Sequence, residues 1–221
     1  MLKKYTQDLE NLHDKGVNIV RNILKSNNYI LEALQTNNLN VLDDARNCLK
    51  PISNESLEID NGIVKLLALE TPEASDLRRI VSFFKITNEL QRTASNTKGI
   101  IKNFELCYNT LDKKYIEEYT IPLQKTAVSC LEGLLAMTES TNENVKEKFN
   151  LVFEAQEKTD ELYNLFQDNL MKENKEIEEF NQYAKVLNTL RKYDKIANRS
   201  LDIAYLIVYA KLGGVLGEVE I

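Results

Sequence analysis

Apolar residues recur every three or four positions along almost the whole chain, and this spacing limits the folds that the chain can adopt. The period matches one face of an α-helix, whereas the alternation typical of a half-buried β-strand does not appear. Only 3 prolines and 7 glycines occur in 221 residues, too few for a chain that turns often between strands. The sequence therefore predicts an all-α fold of long helices packed in bundles.

Breaks in the apolar pattern predict six long helices. Pro51 should break the second helix, Pro122 should kink the fourth early, and Gly213 should stop the sixth. The third and sixth helices share an apolar phase, which suggests an internal repeat of two antiparallel three-helix bundles. We therefore expect a first repeat over residues 1–109 and a second over 110–221. The expected helices cover about residues 6–35, 39–70, 72–107, 114–137, 143–172 and 175–212.

The connection between the second and third helices is expected at Thr71 and Pro72. Thr71 suits the N-cap, and Pro72 suits the first helical position, where its missing N–H costs nothing. The helical spacing that follows predicts an inward-facing apolar stripe: Leu77, Ile80, Val81 and Phe84.

Charge and cysteine usage narrow the functional classes. The formal net charge of −6 argues against nucleic acid or anionic lipid as the main partner. The three cysteines are scattered without a CxxC pair, so we expect reduced thiols in a cytoplasmic protein rather than a zinc site. The most apolar run, residues 203–210, is too short to span a bilayer, which takes about 20 residues.

Motifs for catalysis are missing from the sequence. The single histidine, His13, has no partner in a Glu-x-x-His pair, and no phosphate-binding glycine-rich loop occurs. The sequence therefore gives little support for a di-iron oxidase or a catalytic triad. The basic pairs Arg78-Arg79 and Lys113-Lys114 and the segment 191–195 are interpreted as solvated helix surface, or alternatively as a docking face for an acidic partner.

Polar residues interrupt the apolar stripes of the fifth and sixth helices. Gln156 and Asp160 lie one turn apart in the fifth helix, and Asp194 and Asn198 lie one turn apart in the sixth. Two such pairs on adjacent helices could surround a hard cation with oxygen ligands. The alternative is a polar seam that is hydrogen-bonded between the helices, because a buried carboxylate needs a partner or water.

Several segments resemble the PhoU family. The segment LLALETPEASDLRRI (residues 66–80) is similar to that family's LLAL-x-x-P-x-A-x-DLR-x-I. The segments EAQEKTDELY (154–163) and RKYDKIANR (191–199) resemble its E-A-D-x-x-V-D-E-L-Y and R-Y-LERIADH. The resemblance covers nearly the whole chain, including the order of six helices.

This resemblance implies a cytoplasmic, non-enzymatic regulator that represses phosphate uptake and the phosphate-starvation response. It also implies contacts with the ATPase of the phosphate ABC transporter and with a sensor histidine kinase, formation of a homodimer, and membrane association only through those partners. Several members of the family carry iron or zinc clusters on Glu/Asp-x-x-x-Asp motifs.

The chain departs from that metal motif at every copy. In the first repeat the motif positions hold Gln91 and Ser95 in the third helix, and they align best with Leu49 and Ser53 in the second. The second repeat retains the candidate metal ligands Asp160, Asp194, Gln156, Asn198 and Glu157. We therefore expect no cofactor and at most one weakly bound metal ion in the second repeat. Two further hypotheses remain open: a metal-binding helical protein, and a diverged module that regulates a different transporter.

Overall fold

The structure is a computed structural model that describes residues 2–107, 113–172 and 177–214. These residues form helices and contain no strand, which confirms the all-α prediction. A π-helical turn, Ile116–Thr120, lies between α5 and α6. The α-helices are α1 (Leu2–Thr36), α2 (Val41–Leu49), α3 (Ile52–Leu69), α4 (Ala74–Cys107), α5 (Lys113–Tyr115), α6 (Ile121–Glu139), α7 (Val145–Lys172) and α8 (Ile177–Leu212).

The long helices pack as two antiparallel bundles that share one core. In the first bundle α1 packs on α2, α3 and α4, and in the second α6, α7 and α8 pack on one another. The bundles contact each other through α1 with α6 and through α4 with α8. A single hydrophobic cluster includes side chains from both bundles, so each amphipathic helix buries its apolar face in the same core. The predicted boundary at Asn109 lies outside the described residues.

Two prolines, Pro51 and Pro122, interrupt the regular α-helical hydrogen bonding at positions that the sequence predicts. Lys50 and Pro51 separate α2 from α3, because proline cannot donate the backbone hydrogen bond that would continue the helix. Pro122 follows the π-helical turn, and in that turn the Thr120 hydroxyl donates to the Tyr115 carbonyl at 3.2 Å. A wider turn accommodates a proline that can neither donate to nor fit against the preceding carbonyl. At the other end of the chain Gly213, at φ 79°, stops α8 as predicted.

The connection between α3 and α4 differs from the prediction. Helical hydrogen bonding begins at the Glu73 carbonyl, which accepts from the Leu77 N–H at 2.8 Å. Thr71 and Pro72 therefore precede α4 and are neither its N-cap nor its first residue. A proline disfavours helical dihedrals at the residue before it, which here is Thr71. Glu70, one residue earlier, is already extended at ψ 157°. The chain therefore crosses from α3 to α4 in extended form.

The predicted inward stripe of α4 is also partly wrong. Ile80 is 1% exposed, but Leu77 is 43% exposed, and Val81 and Phe84 are exposed as well. The buried face of α4 continues from Ile80 through Thr87 and Leu90 rather than through Leu77 and Phe84. The neighbouring helices cover only that face at the start of α4, and the second apolar face faces solvent.

A buried polar cluster joins the two bundles near their middle. Asn27 of α1 donates from Nδ2 to the Thr97 hydroxyl of α4 at 3.2 Å. Gln124 of α6 donates from Nε2 to the Asn27 side-chain oxygen at 3.1 Å and to its backbone carbonyl at 2.9 Å. All three side chains are fully buried. They thus link three helices by hydrogen bonds inside an otherwise apolar core.

The cysteines that the structure describes are free. Cys48 is half-buried on α2, and Cys130 is buried on α6. Burial raises the pKa of the Cys130 thiol to about 12, so this thiol stays protonated at neutral pH. The side chain of Cys107 lies outside the description. Among the described residues, no helix is long and apolar enough to cross a membrane.

Candidate functional site

Four of the five candidate ligands of the second repeat lie together between α7 and α8. The Gln156 amide donates to an Asp160 carboxylate oxygen at 2.6 Å and to the Asn198 side-chain oxygen at 3.0 Å. The Asn198 amide in turn donates to an Asp194 carboxylate oxygen at 2.9 Å. The two residues of each pair lie one helical turn apart, as the sequence predicted. Each pair therefore lies on the face of its helix that contacts the other helix. We refer to these four residues as the α7–α8 cluster.

The two carboxyl groups of the α7–α8 cluster affect each other. Partial burial raises the pKa of Asp194. The charge of Asp160 and a hydrogen bond between the two carboxyl groups, which needs a proton, raise it further. The hydrogen bond from Asn198 and the charge of Arg191 act in the opposite direction but do not cancel the shift. The fold therefore disfavours the ionised form of Asp194, and a nearby cation would favour that form.

The hydrogen bonds of the α7–α8 cluster involve the same side chains that would ligate a cation. The amide N–H groups of Gln156 and Asn198 donate to the carboxylates of Asp160 and Asp194, so a cation would compete with these hydrogen bonds for the carboxylate oxygens. Glu157, the fifth candidate ligand, is exposed on α7 and takes no part in the hydrogen bonds of the α7–α8 cluster. Within the described residues, no group of three or more histidine, cysteine, aspartate or glutamate side chains could hold a metal ion. The arrangement is that of a polar seam hydrogen-bonded between α7 and α8, and whether it also binds a hard ion stays a prediction.

The equivalent positions of the first repeat do not form a ligand set. Leu49 is fully buried in the core, and Ser53 is exposed on α3. Gln91 is half-buried on α4, and Ser95 is exposed. Because these side chains include no carboxylate, they cannot balance the charge of a multinuclear cluster.

Replacing Asp194 with asparagine tests both interpretations of the α7–α8 cluster. We expect Asp194→Asn to leave the melting temperature of chelated protein unchanged or to raise it at pH 7, because the ionised Asp194 is disfavoured in the fold. The folded protein binds the Asp194 proton more tightly than the unfolded chain does. The free energy of unfolding therefore falls as the pH rises from 3.8, the ordinary pKa of aspartate, through the raised pKa of Asp194. The gain should therefore disappear below about pH 4.

The metal content of the same variant is the second measurement. After chelation and dialysis, elemental analysis should find less than about one ion per chain in the wild type, and none in Asp194→Asn. Asp168→Asn, which removes an exposed carboxylate elsewhere on α7, is the control and should change neither quantity. Several tightly held iron or zinc ions per chain would contradict this interpretation.

A second candidate site is an exposed apolar surface that sequence analysis missed. Seven of the eleven exposed large apolar side chains among the described residues lie on α3 and on the first turns of α4. Helical spacing puts Leu77, Val81 and Phe84 on one face of α4. Concentrations of this kind mark interaction surfaces. We call this the hairpin surface; it consists of Leu57, Val64, Leu67, Leu69, Leu77, Val81 and Phe84.

The hairpin surface overlaps the segment that carries the family resemblance. Leu67, Leu69 and Leu77 all belong to residues 66–80, and none of the three is in the core. The sequence did contain a signal for this surface, because α3 and the start of α4 have more apolar residues than one buried helix face can accommodate. Periodicity alone assigned that excess to the core.

Comparisons with known proteins agree with the fold. The PhoU domain family model matches residues 17–104. The phosphate-specific transport system accessory protein PhoU homolog of Aquifex aeolicus is 24% identical over 97 residues, which are 44% of each chain. The chain thus aligns with less than half of the length of that curated relative.

Two crystal structures share the architecture over nearly the whole chain. The phosphate transport system regulatory protein PhoU from Streptococcus pneumoniae superposes with a TM-score of 0.75 at 21% identity, covering 97% of this chain and 100% of that one. PhoU from Pseudomonas aeruginosa gives a TM-score of 0.76 at 19% identity, covering 95% and 100%. At these identities the matches show a common fold.

Proposed function

Because residues 17–104 match the PhoU domain and the chain belongs to the PhoU family, we propose that it is a non-enzymatic accessory protein of phosphate transport. In this proposal it represses phosphate uptake and phosphate-starvation signalling from the cytoplasm, through protein–protein contacts. Its relatives include an accessory protein of a phosphate-specific transport system and a phosphate transport regulatory protein, and these names support the biological setting.

The observation that carries the proposal is the hairpin surface. A monomeric protein rarely leaves many large apolar side chains exposed on one helical hairpin, because covering them is favourable by about 25 cal/mol per Å². We propose that the ATPase subunit of the phosphate ABC transporter covers this surface. A sensor histidine kinase is the second proposed partner, and membrane association would occur only through such partners. A homodimer is part of the same proposal.

The test is a quantitative pull-down with paired variants. The wild-type protein should capture the transporter ATPase from phosphate-replete cells of its host. Leu77→Asp combined with Phe84→Asp should reduce that capture by at least about tenfold, because the interface would have to desolvate two carboxylates. Both positions are exposed, so the melting temperature should stay close to that of the wild type.

A matched control separates the surface from a general effect of charge. Leu151 on α7 and Phe84 on α4 are both 48% exposed, so Leu151→Asp introduces the same charge in a similar environment elsewhere. This control should retain wild-type capture. Equal loss in the control would contradict the location of the surface, and a wild-type protein that captures neither the ATPase nor a histidine kinase would contradict the function.

The two alternatives give different results in the same experiment. A module that serves another transporter would capture the ATPase of that transporter through the hairpin surface. A metal-binding protein would capture no transporter component and would retain metal at the α7–α8 cluster, whose facing carboxyl groups are the observation that favours it.

A further inference from the structure

A cavity of about 510 Å³ lies between α1, α4, α6 and α8, and none of its described lining residues belongs to the α7–α8 cluster or to the hairpin surface. This volume falls within the range of about 300–1,000 Å³ that small-molecule sites occupy. Much of its wall is apolar, with aliphatic and aromatic side chains contributed by all four helices. Examples are Val17, Phe83, Leu90, Leu134 and Ile207.

The polar part of the lining lies at one end of the bundle and is basic. Arg78 and Arg79 come from the start of α4, and Lys211 comes from the end of α8. The single carboxylate of the lining, Asp76, lies 3.8 Å from Arg79. Among the described lining residues, three Lys and Arg side chains and one carboxylate leave a formal net charge of about +2. A protein with a net charge of −6 thus has a positively charged cavity.

Arg78 is not the solvated surface residue that the sequence suggested. It is half-buried, its Nε atom is buried without a hydrogen-bond partner among the described residues, and its guanidinium group lies 6.0 Å from the ring centre of Tyr209. No carboxylate of the described residues forms an ion pair with it. A guanidinium group without a carboxylate partner leaves its positive charge uncompensated, so the position of Arg78 on the cavity wall suits an anionic ligand.

Lys211 adds a second cation of the same kind. Its ammonium group donates to the Ser140 carbonyl, and the Ser140 hydroxyl lies 3.4 Å from it. These acceptors are uncharged, and within the described residues no carboxylate lies in ion-pair range of Lys211. Partial burial and the nearby positive charge of Arg79 lower the pKa of Lys211. A bound anion would counter both effects.

We propose that this cavity binds an amphipathic organic anion, with its carboxylate or phosphate group on Arg78 and Lys211 and its apolar body against the α1, α6 and α8 side chains. Inorganic phosphate would leave the apolar walls uncovered, and a neutral lipid would leave the two cations unpaired. The ligand must therefore have both features. This site goes beyond the proposed function and is tested on the purified protein without any transporter component.

Calorimetry with three eight-carbon probes tests the proposal. Octanoate and octyl phosphate carry the two anionic groups, and 1-octanol has the same chain without charge. We expect one molecule of octanoate or octyl phosphate per chain with a Kd below about 1 mM, and weaker binding of 1-octanol by at least about tenfold. The better of the two anions identifies the head group. Inorganic phosphate should give no saturable heat.

Variants locate the binding within the protein. Lys211→Met and Arg78→Met should each weaken octanoate binding by at least about tenfold, and Lys98→Met, at an exposed position of α4, should not. Val17→Phe should also weaken binding, by filling the apolar part, and the melting temperature of each variant shows whether it is folded. Wild-type affinity in folded Lys211→Met and Arg78→Met, equal binding of octanol and octanoate, or saturable binding of phosphate alone would overturn the proposal.

Discussion

Ile80→Asp is expected to unfold the protein or to make it aggregate. Ile80 is 1% exposed in the shared core, and the buried residues of the described chain include no cationic side chain. Burying an unpaired carboxylate costs several kcal/mol, which is comparable with the whole stability of a domain, about 5–15 kcal/mol. Thermal unfolding followed by circular dichroism should show the loss of a cooperative transition.

Leu77→Asp is the matched variant, one helical turn earlier. Leu77 is 43% exposed in the first turn of α4, where a carboxylate meets the positive end of the helix dipole. We therefore expect its free energy of unfolding to change by no more than about 0.5 kcal/mol. Apolar periodicity alone predicted that Leu77 is buried and that this substitution is strongly destabilising. Equal destabilisation by Leu77→Asp and Ile80→Asp would therefore support the predicted inward-facing stripe and contradict the exposure of Leu77 in the structure.

Asn27→Ala is expected to cause the second large loss of stability. The substitution removes the side-chain oxygen that accepts from the Gln124 amide, which keeps only the backbone carbonyl of residue 27, and it removes the donor to Thr97; all three side chains are fully buried. One unsatisfied buried polar group costs about 1–3 kcal/mol, and the lost volume adds to that. We expect a loss of about 3 kcal/mol and a decrease in melting temperature of several degrees. Asn28→Ala, at an exposed position of the same helix, should have little effect.

A double-mutant cycle separates the hydrogen bonds from general packing. If the cost comes from polar groups left without partners, Asn27→Leu combined with Gln124→Leu should recover part of the loss of Asn27→Leu alone. The coupling between the two positions should then be at least about 1 kcal/mol. Additive losses would show that these hydrogen bonds do not determine the stability of the contact between the bundles.

Local chemistry explains why the sequence predicted the helices and some of their ends. The break at Pro51 and the stop at Gly213 follow from backbone properties that act wherever these residues occur. The α7–α8 cluster was predicted for a similar reason, since residues one turn apart must share a helix face. Whether that cluster binds metal stays a prediction that elemental analysis will decide.

Tertiary packing decided the features that the sequence could not determine. The apolar spacing of α4 is equally compatible with a buried Leu77 and with a buried Ile80, and only the arrival of neighbouring helices on one face selects Ile80. In the same way, the sequence indicates that Arg78 is a surface residue, whereas in the structure it packs against α8 and its Nε atom is buried beside a cavity. Periodicity is a property of one helix, whereas burial depends on which other helix covers each face. The sequence by itself therefore determined the helices, and packing between them determined the core, the hairpin surface and the cavity.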